Sequence, residues 1–88
     1  MTSKEVQIIN KYGLHTRPAT VLVTVASKFK SDIFLIYKGV RVNAKSILGI
    51  LVLAVEPGSF LTVEAAGEDE TEAVESLVNL AQNKFNLE

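Results

Sequence analysis

Hydrophobic positions along the chain repeat with two periods. Glu5, Val6, Gln7 and Ile8 alternate polar and apolar, as a half-buried strand does. A loop follows at Asn10-Lys11-Tyr12-Gly13. Beyond it, Ala19, Leu22, Val23, Ala26 and Phe29 fall at helical spacing, although Val21, Val23 and Val25 favour a strand by propensity. Two features predict a helix over Thr16 to Lys28: its length, and Pro18 placed where a first helical turn tolerates it.

Asp32 to Tyr37 and Val40 to Asn43 are compact apolar-rich runs joined by Lys38-Gly39. That is a hairpin signature, with glycine supplying the positive φ of a tight turn. Ser46 can cap a short helix through Ile47, Leu48, Ile50 and Leu51, its hydroxyl accepting from an otherwise unpaired N–H. Of these, Ile50 is assigned to the core together with Leu53. Glu56-Pro57-Gly58 reads as a turn and Phe60 to Ala66 as another strand. Gly67-Glu68 then leads into Asp69-x-x-Glu72, a capping-box-like start for a last helix. Val74, Leu77, Val78, Ala81 and Phe85 form its buried stripe. Early acids at Asp69, Glu70 and Glu72 and a late Lys84 complement its dipole, and Glu68 to Glu72 reads as a solvated helix start.

This order of elements carries no linker and no repeat, so residues 1–88 are expected to form one domain. The economical α+β solution is two layers: four short strands in one sheet, covered on one face by helices. The chain has no cysteine, which excludes disulfides and a thiolate metal site, and its 48% apolar content must supply the core instead. A formal net charge of −1 gives no footprint for nucleic acid. Met1 to Gln7 is polar and mixed in charge, unlike a signal peptide. The longest apolar-rich stretch, Ile47 to Val55, falls short of the roughly 20 residues that span a bilayer. A cytoplasmic protein without membrane insertion is the expectation.

His15 is the only histidine. It lies between the Tyr12-Gly13 loop and the helix start at Thr16-Arg17-Pro18. A helix amino terminus offers unpaired N–H donors and about half a unit of positive charge, a ready place for phosphate. The Arg17 guanidinium is a planar fork that can hold two phosphoryl oxygens. Positive surroundings favour the neutral imidazole, whose nitrogen lone pair can attack phosphorus. A phosphohistidine formed there would face the Thr16 and Arg17 backbone donors. No second His or Cys completes a tight metal site, and no nucleophile-elbow signature supports a Ser-His-Asp triad. Taken alone, a His-x-Arg triplet leaves a plain surface histidine or helix cap as the commoner case.

Gly13-Leu14-His15-Thr16-Arg17-Pro18-Ala19 resembles the active-site signature of the HPr family, the histidine-containing phosphocarriers of the phosphoenolpyruvate-dependent sugar phosphotransferase system. Lys45-Ser46-Ile47-Leu48-Gly49-Ile50-Leu51 is similar to the serine-site motif of the same family, and the likeness runs over essentially the whole chain. It implies an open-faced sandwich of a four-stranded antiparallel sheet with three helices on one side. His15 would carry the phosphoryl group on Nδ1 with Arg17 assisting. Enzyme I would be the donor and the IIA domains of sugar permeases the acceptors, with no cofactor. Ser46 would be open to phosphorylation by an HPr kinase, bringing that kinase and a transcriptional regulator among the partners of a monomeric carrier.

Ile47, Leu48 and Leu51 are expected to form an apolar docking patch beside His15, since a short helix apolar on nearly every face cannot bury them all. Thr20 is assigned to the same surface. Four positions depart from the commonest family pattern. Thr16 stands where many members have alanine, Leu48 and Leu51 where many have methionine, and Ala54 replaces a frequent glycine. Two other functions compete with the relay: a regulatory binding module of the same fold, and a single-sheet nucleic-acid binder. The second is disfavoured by charge and by the lack of aromatics interleaved with Lys or Arg.

Overall fold

Valine and isoleucine at alternate positions build the sheet, and leucine and alanine at helical spacing lay three helices across one face of it. A computed structural model describes residues 1–88. In chain order the elements are β1 (Thr2–Gln7), α1 (Thr16–Ala26), β2 (Asp32–Tyr37), β3 (Val40–Asn43), α2 (Ile47–Leu53), β4 (Phe60–Ala66) and α3 (Glu70–Gln82). A single 3-10 turn follows at Lys84–Asn86. The four strands form one antiparallel sheet in the order β1-β4-β2-β3. The α+β sandwich expected from the pattern is therefore the fold observed.

Register decides which face is buried. Val6 pairs with Leu61 and Leu35 with Val63, and these side chains share the core face with Ile33 and Ala65. Leu22 of α1, Ile50 of α2 and Val74, Leu77, Val78 and Ala81 of α3 close over them, all buried. On the opposite face the Arg41 guanidinium lies 3.6 Å from the centre of the Phe34 ring and reaches the Glu64 carboxylate at 3.0 Å. Cation–π contact and ion pair together cover an apolar ring that the helices leave bare. The hairpin turn has Lys38 and Gly39 both at positive φ, the arrangement that matches the twist of the flanking strands.

Element ends differ from expectation at several places. The first strand runs from Thr2 to Gln7 rather than Glu5 to Ile8, because β4 offers ladder partners as far as Ala65 opposite Thr2. The first helix stops at Ala26 rather than Lys28. The N–H groups of Lys28 and Phe29 turn back to Val25 and Ala26, three residues away, so the final turn tightens. The last helix ends at Gln82, and Lys84 lies beyond it at positive φ, too late to meet the dipole. Phe85 is buried as expected, but from this left-handed turn rather than from the helix stripe.

The largest correction concerns the start of α3. Asp69 makes no capping bond to its own helix, so the capping box does not form. Its carboxylate reaches across instead, accepting from the N–H groups of Lys30 and Ser31 at 2.9 Å each and from the Ser31 hydroxyl. Glu70 accepts from the Gly67 N–H at 3.2 Å and the Thr2 hydroxyl at 2.6 Å. Asp69 and Glu70 are thus half-buried ties between elements rather than a solvated run.

These bonds hold both carboxyls well below their ordinary range. The Ser31 hydroxyl is the first cause for Asp69, from 3.8 to about 2, and the Thr2 hydroxyl is the first cause for Glu70, from 4.5 to about 2. A pKa lowered by folding adds stability that is complete above the unfolded value and fades as pH falls toward the folded one. Thermal midpoints should therefore be flat near neutrality and fall between pH 4.5 and about 2. Asp69→Asn should lower the midpoint at pH 7 and flatten this acid decline. An unchanged slope below pH 4.5 in that variant would assign the decline to other groups.

Candidate functional site

Leu14 is buried and pins the chain just before α1, while the residues after it turn outward. His15 is the N-cap residue, extended at φ −78° and ψ −170°, and its side chain forms no capping bond. Its carbonyl accepts the Ala19 N–H at 3.0 Å, the first bond of the helix. Pro18 has no N–H to offer, so Thr16 and Arg17 carry the backbone donors that the helix itself leaves unpaired. Both residues are exposed, and Pro18 and Ala19 are buried beneath them.

Arg17 is uncommitted. The ion pairs within the chain are Met1 with Glu70 and Arg41 with Glu64, and neither involves it. His15 and Arg17 line one cleft of about 240 Å³ with Lys11, Tyr12, Leu87 and Glu88. An imidazole, a free guanidinium and a lysine thus line one open space together with the Glu88 carboxylate. The free guanidinium and the unpaired N–H groups at the start of α1 supply charge and donors that suit a phosphoryl group.

A second cleft, of about 360 Å³, lies on the other side of His15. Leu14, Thr16, Leu51, Val55 and Pro57 are among its walls. It joins the site to α2, whose cap is built as expected: the Ser46 hydroxyl accepts the Gly49 N–H at 3.2 Å. Ile50 and Leu53 are buried, and Leu51 is half-buried in the cleft wall. Ile47 is 39% exposed and Leu48 75%. Val52, one turn beyond Leu48, is 72% exposed and extends the patch, a position the sequence pattern did not single out. Thr20 is exposed on α1, its hydroxyl turned back to the Thr16 carbonyl at 2.8 Å.

Two further residues of the site escaped the sequence reading. Tyr12 packs its ring against the His15 imidazole, centroids 5.8 Å apart and planes at 85°. Glu88 accepts the Lys11 N–H at 3.0 Å, which brings the far end of the chain to the cleft wall. Ala54 caps α2 in the left-handed region at φ 51°. That conformation explains why glycine suits the position, and alanine there carries a cost of about 1 kcal/mol.

Comparison with known proteins agrees with this geometry. The family described as PTS HPr component phosphorylation site matches residues 2–83. The phosphocarrier protein HPr of Treponema pallidum is 43% identical over 88 residues, the full length of both chains. The HPr-like protein Crh of Bacillus subtilis is 45% identical over 84 residues, 96% of this chain and 99% of Crh. Among solved structures, HPr from Thermoanaerobacter tengcongensis superposes with a TM-score of 0.96 at 45% identity, covering 100% of this chain and 99% of that one. A match over nearly the whole chain, at this identity and on the same fold, places the protein in the HPr family of phosphocarriers of the phosphotransferase system.

Proposed function

We propose that the whole chain acts as one carrier that takes a phosphoryl group from phospho-enzyme I onto His15 and passes it to IIA domains of sugar permeases. The observation that carries this reading is His15 at the amino terminus of α1, opening on the cleft it shares with the unpaired Arg17. In the forward step a lone pair on an imidazole nitrogen forms the new N–P bond. The bond from phosphorus to the donor breaks, and its electron pair stays with the donor. Arg17 and the Thr16 and Arg17 N–H groups meet the oxygens as charge shifts among them. The site is open on the cleft side, so the same contacts serve donor and acceptor in turn.

The test is incubation with enzyme I and labelled phosphoenolpyruvate. Label is expected on the protein as an acid-labile phosphoramidate at His15. Absence of label, or label stable to acid, would overturn the relay.

Docking is assigned to the apolar surface of Ile47, Leu48 and Leu51 with Thr20, which adjoins His15 through the cleft wall. Ser46 sits at the edge of this surface, and phosphorylation there would place charge where a partner seats. Leu51→Glu and Ser46→Asp should each weaken enzyme I binding by about tenfold, and their effects should be non-additive because they disturb one interface. Wild-type affinity in both variants would remove docking from this face. The likeness to Crh, described as a catabolite-repression protein, favours a regulatory role beside the relay. His15 in a cleft with an unpaired guanidinium is what a purely regulatory module would not need.

A further inference from the structure

The relay as described gives Tyr12 no task, yet Tyr12 is placed with care. Its ring is 66% exposed, so burial does not explain its position. The loop beneath it is tied on both sides. Asn10 is fully buried and donates to the Lys84 carbonyl at 2.9 Å, while its own carbonyl accepts the Gly13 N–H at 3.0 Å. The Leu14 N–H reaches the Val55 carbonyl at 3.1 Å, and the Lys11 N–H reaches Glu88. An exposed ring is thus carried on a fixed backbone.

That ring contacts His15 edge to face, within the distance range of favourable aromatic pairs. The Lys11 ammonium stands 5.5 Å from the centre of the same ring, so the lysine, the tyrosine and the histidine form one contiguous row. The His15 side chain forms no capping bond, which leaves no polar contact of that kind to set its torsions. Tyr12 and His15 together line both clefts, one with Lys11 and Arg17 and the other, more apolar, with Leu51. They form the partition between the two.

We infer that Tyr12 is a positioning residue for phosphoryl transfer: its ring holds the His15 imidazole in the partition, so that the phosphoryl group is received on the Lys11–Arg17 side. This rests on His15 being the acceptor. A half-buried imidazole free to swing would spend time facing the apolar cleft, where no cation waits. Transfer needs the attacking nitrogen in line with the phosphorus, and small misplacements are costly in rate.

The experiment is single-turnover uptake from phospho-enzyme I by wild type, Tyr12→Ala and Tyr12→Phe, with the imidazole resonances of His15 followed by NMR. Tyr12→Ala should slow the rate at saturating donor by about tenfold with the half-saturating donor concentration nearly unchanged. Tyr12→Phe should stay within about twofold of wild type, because the ring rather than the hydroxyl makes the contact. The His15 resonances should move in Tyr12→Ala and stay close to wild type in Tyr12→Phe. A Tyr12→Ala rate within about twofold of wild type, or a Tyr12→Phe protein as slow as Tyr12→Ala, would overturn the assignment. So would a change confined to half-saturation, which would make Tyr12 a docking residue. Failure of the relay itself would be distinct, since wild type would then take no label.

Discussion

His15→Ala is expected to take up no acid-labile phosphate from phospho-enzyme I, while unfolding at nearly the wild-type temperature. The chain has one imidazole, and no other side chain forms a phosphoramidate as readily. His15 is a half-buried N-cap without a capping bond, and its loss removes little that holds α1. Arg17→Ala in the same assay should still become labelled, about 10-fold to 1000-fold more slowly, the range for losing one charged contact to the transferring group. The two variants separate the acceptor from its helper by end point and by rate. Label in His15→Ala would move the chemistry elsewhere, and an unchanged rate in Arg17→Ala would make the guanidinium a bystander.

Gly13→Ala should be the most damaging substitution near the site, and its damage should be to folding first. Gly13 has φ +68°, and an added Cβ would collide with the Val55 carbonyl oxygen and come within 3.2 Å of the Glu56 backbone. The nearest atoms are all backbone, which leaves nothing soft to yield. Strain and overpacking together should cost about 2–4 kcal/mol, or roughly 10 °C or more in thermal midpoint for a chain of this size. Gly39 is the internal control: its φ is +78°, but nothing lies within 4 Å of the added carbon. Gly39→Ala should therefore cost only about 1 kcal/mol. Equal losses at the two positions would show that conformation alone, without close approach, sets the cost at Gly13. Because Gly13 ends the loop that carries Tyr12, any folded Gly13→Ala protein should also transfer slowly.

Where pattern and structure agree, the cause is periodic burial. β2, β3, β4 and the start of α2 were readable because alternation, Gly39 and the Ser46 hydroxyl act within a few residues. Asp69 misled because its motif is local and its partners are not: the N–H groups of Lys30 and Ser31 compete for the carboxylate from nearly 40 positions away and win. Lys84, Phe85 and Asn86 misled for a similar reason. All three have positive φ, with Phe85 buried and the Lys84 carbonyl held by Asn10. Nothing in Lys-Phe-Asn announces a left-handed turn, whose strain is tolerated only because distant groups fix it. At the site the same division holds. His15 and Arg17 are close in sequence and stood out by chemistry. Tyr12 read as ordinary loop, and nothing local set Glu88 or Val52 apart, because their roles depend on which surfaces meet.

The sheet order has a consequence for how the molecule is made. The first strand has no neighbour but β4, with Thr2 opposite Ala65 and Gln7 opposite Phe60. During synthesis its hydrogen-bonding edge therefore stays unsatisfied until nearly three-quarters of the chain has emerged. The β2–β3 hairpin can close long before, since its partners are separated only by the Lys38-Gly39 turn. Pairings of such unequal sequence separation set folding rate through loop closure. Val6 and the fully buried Ile8, both core residues of the finished protein, are thus among the first to leave the ribosome and the last to find shelter.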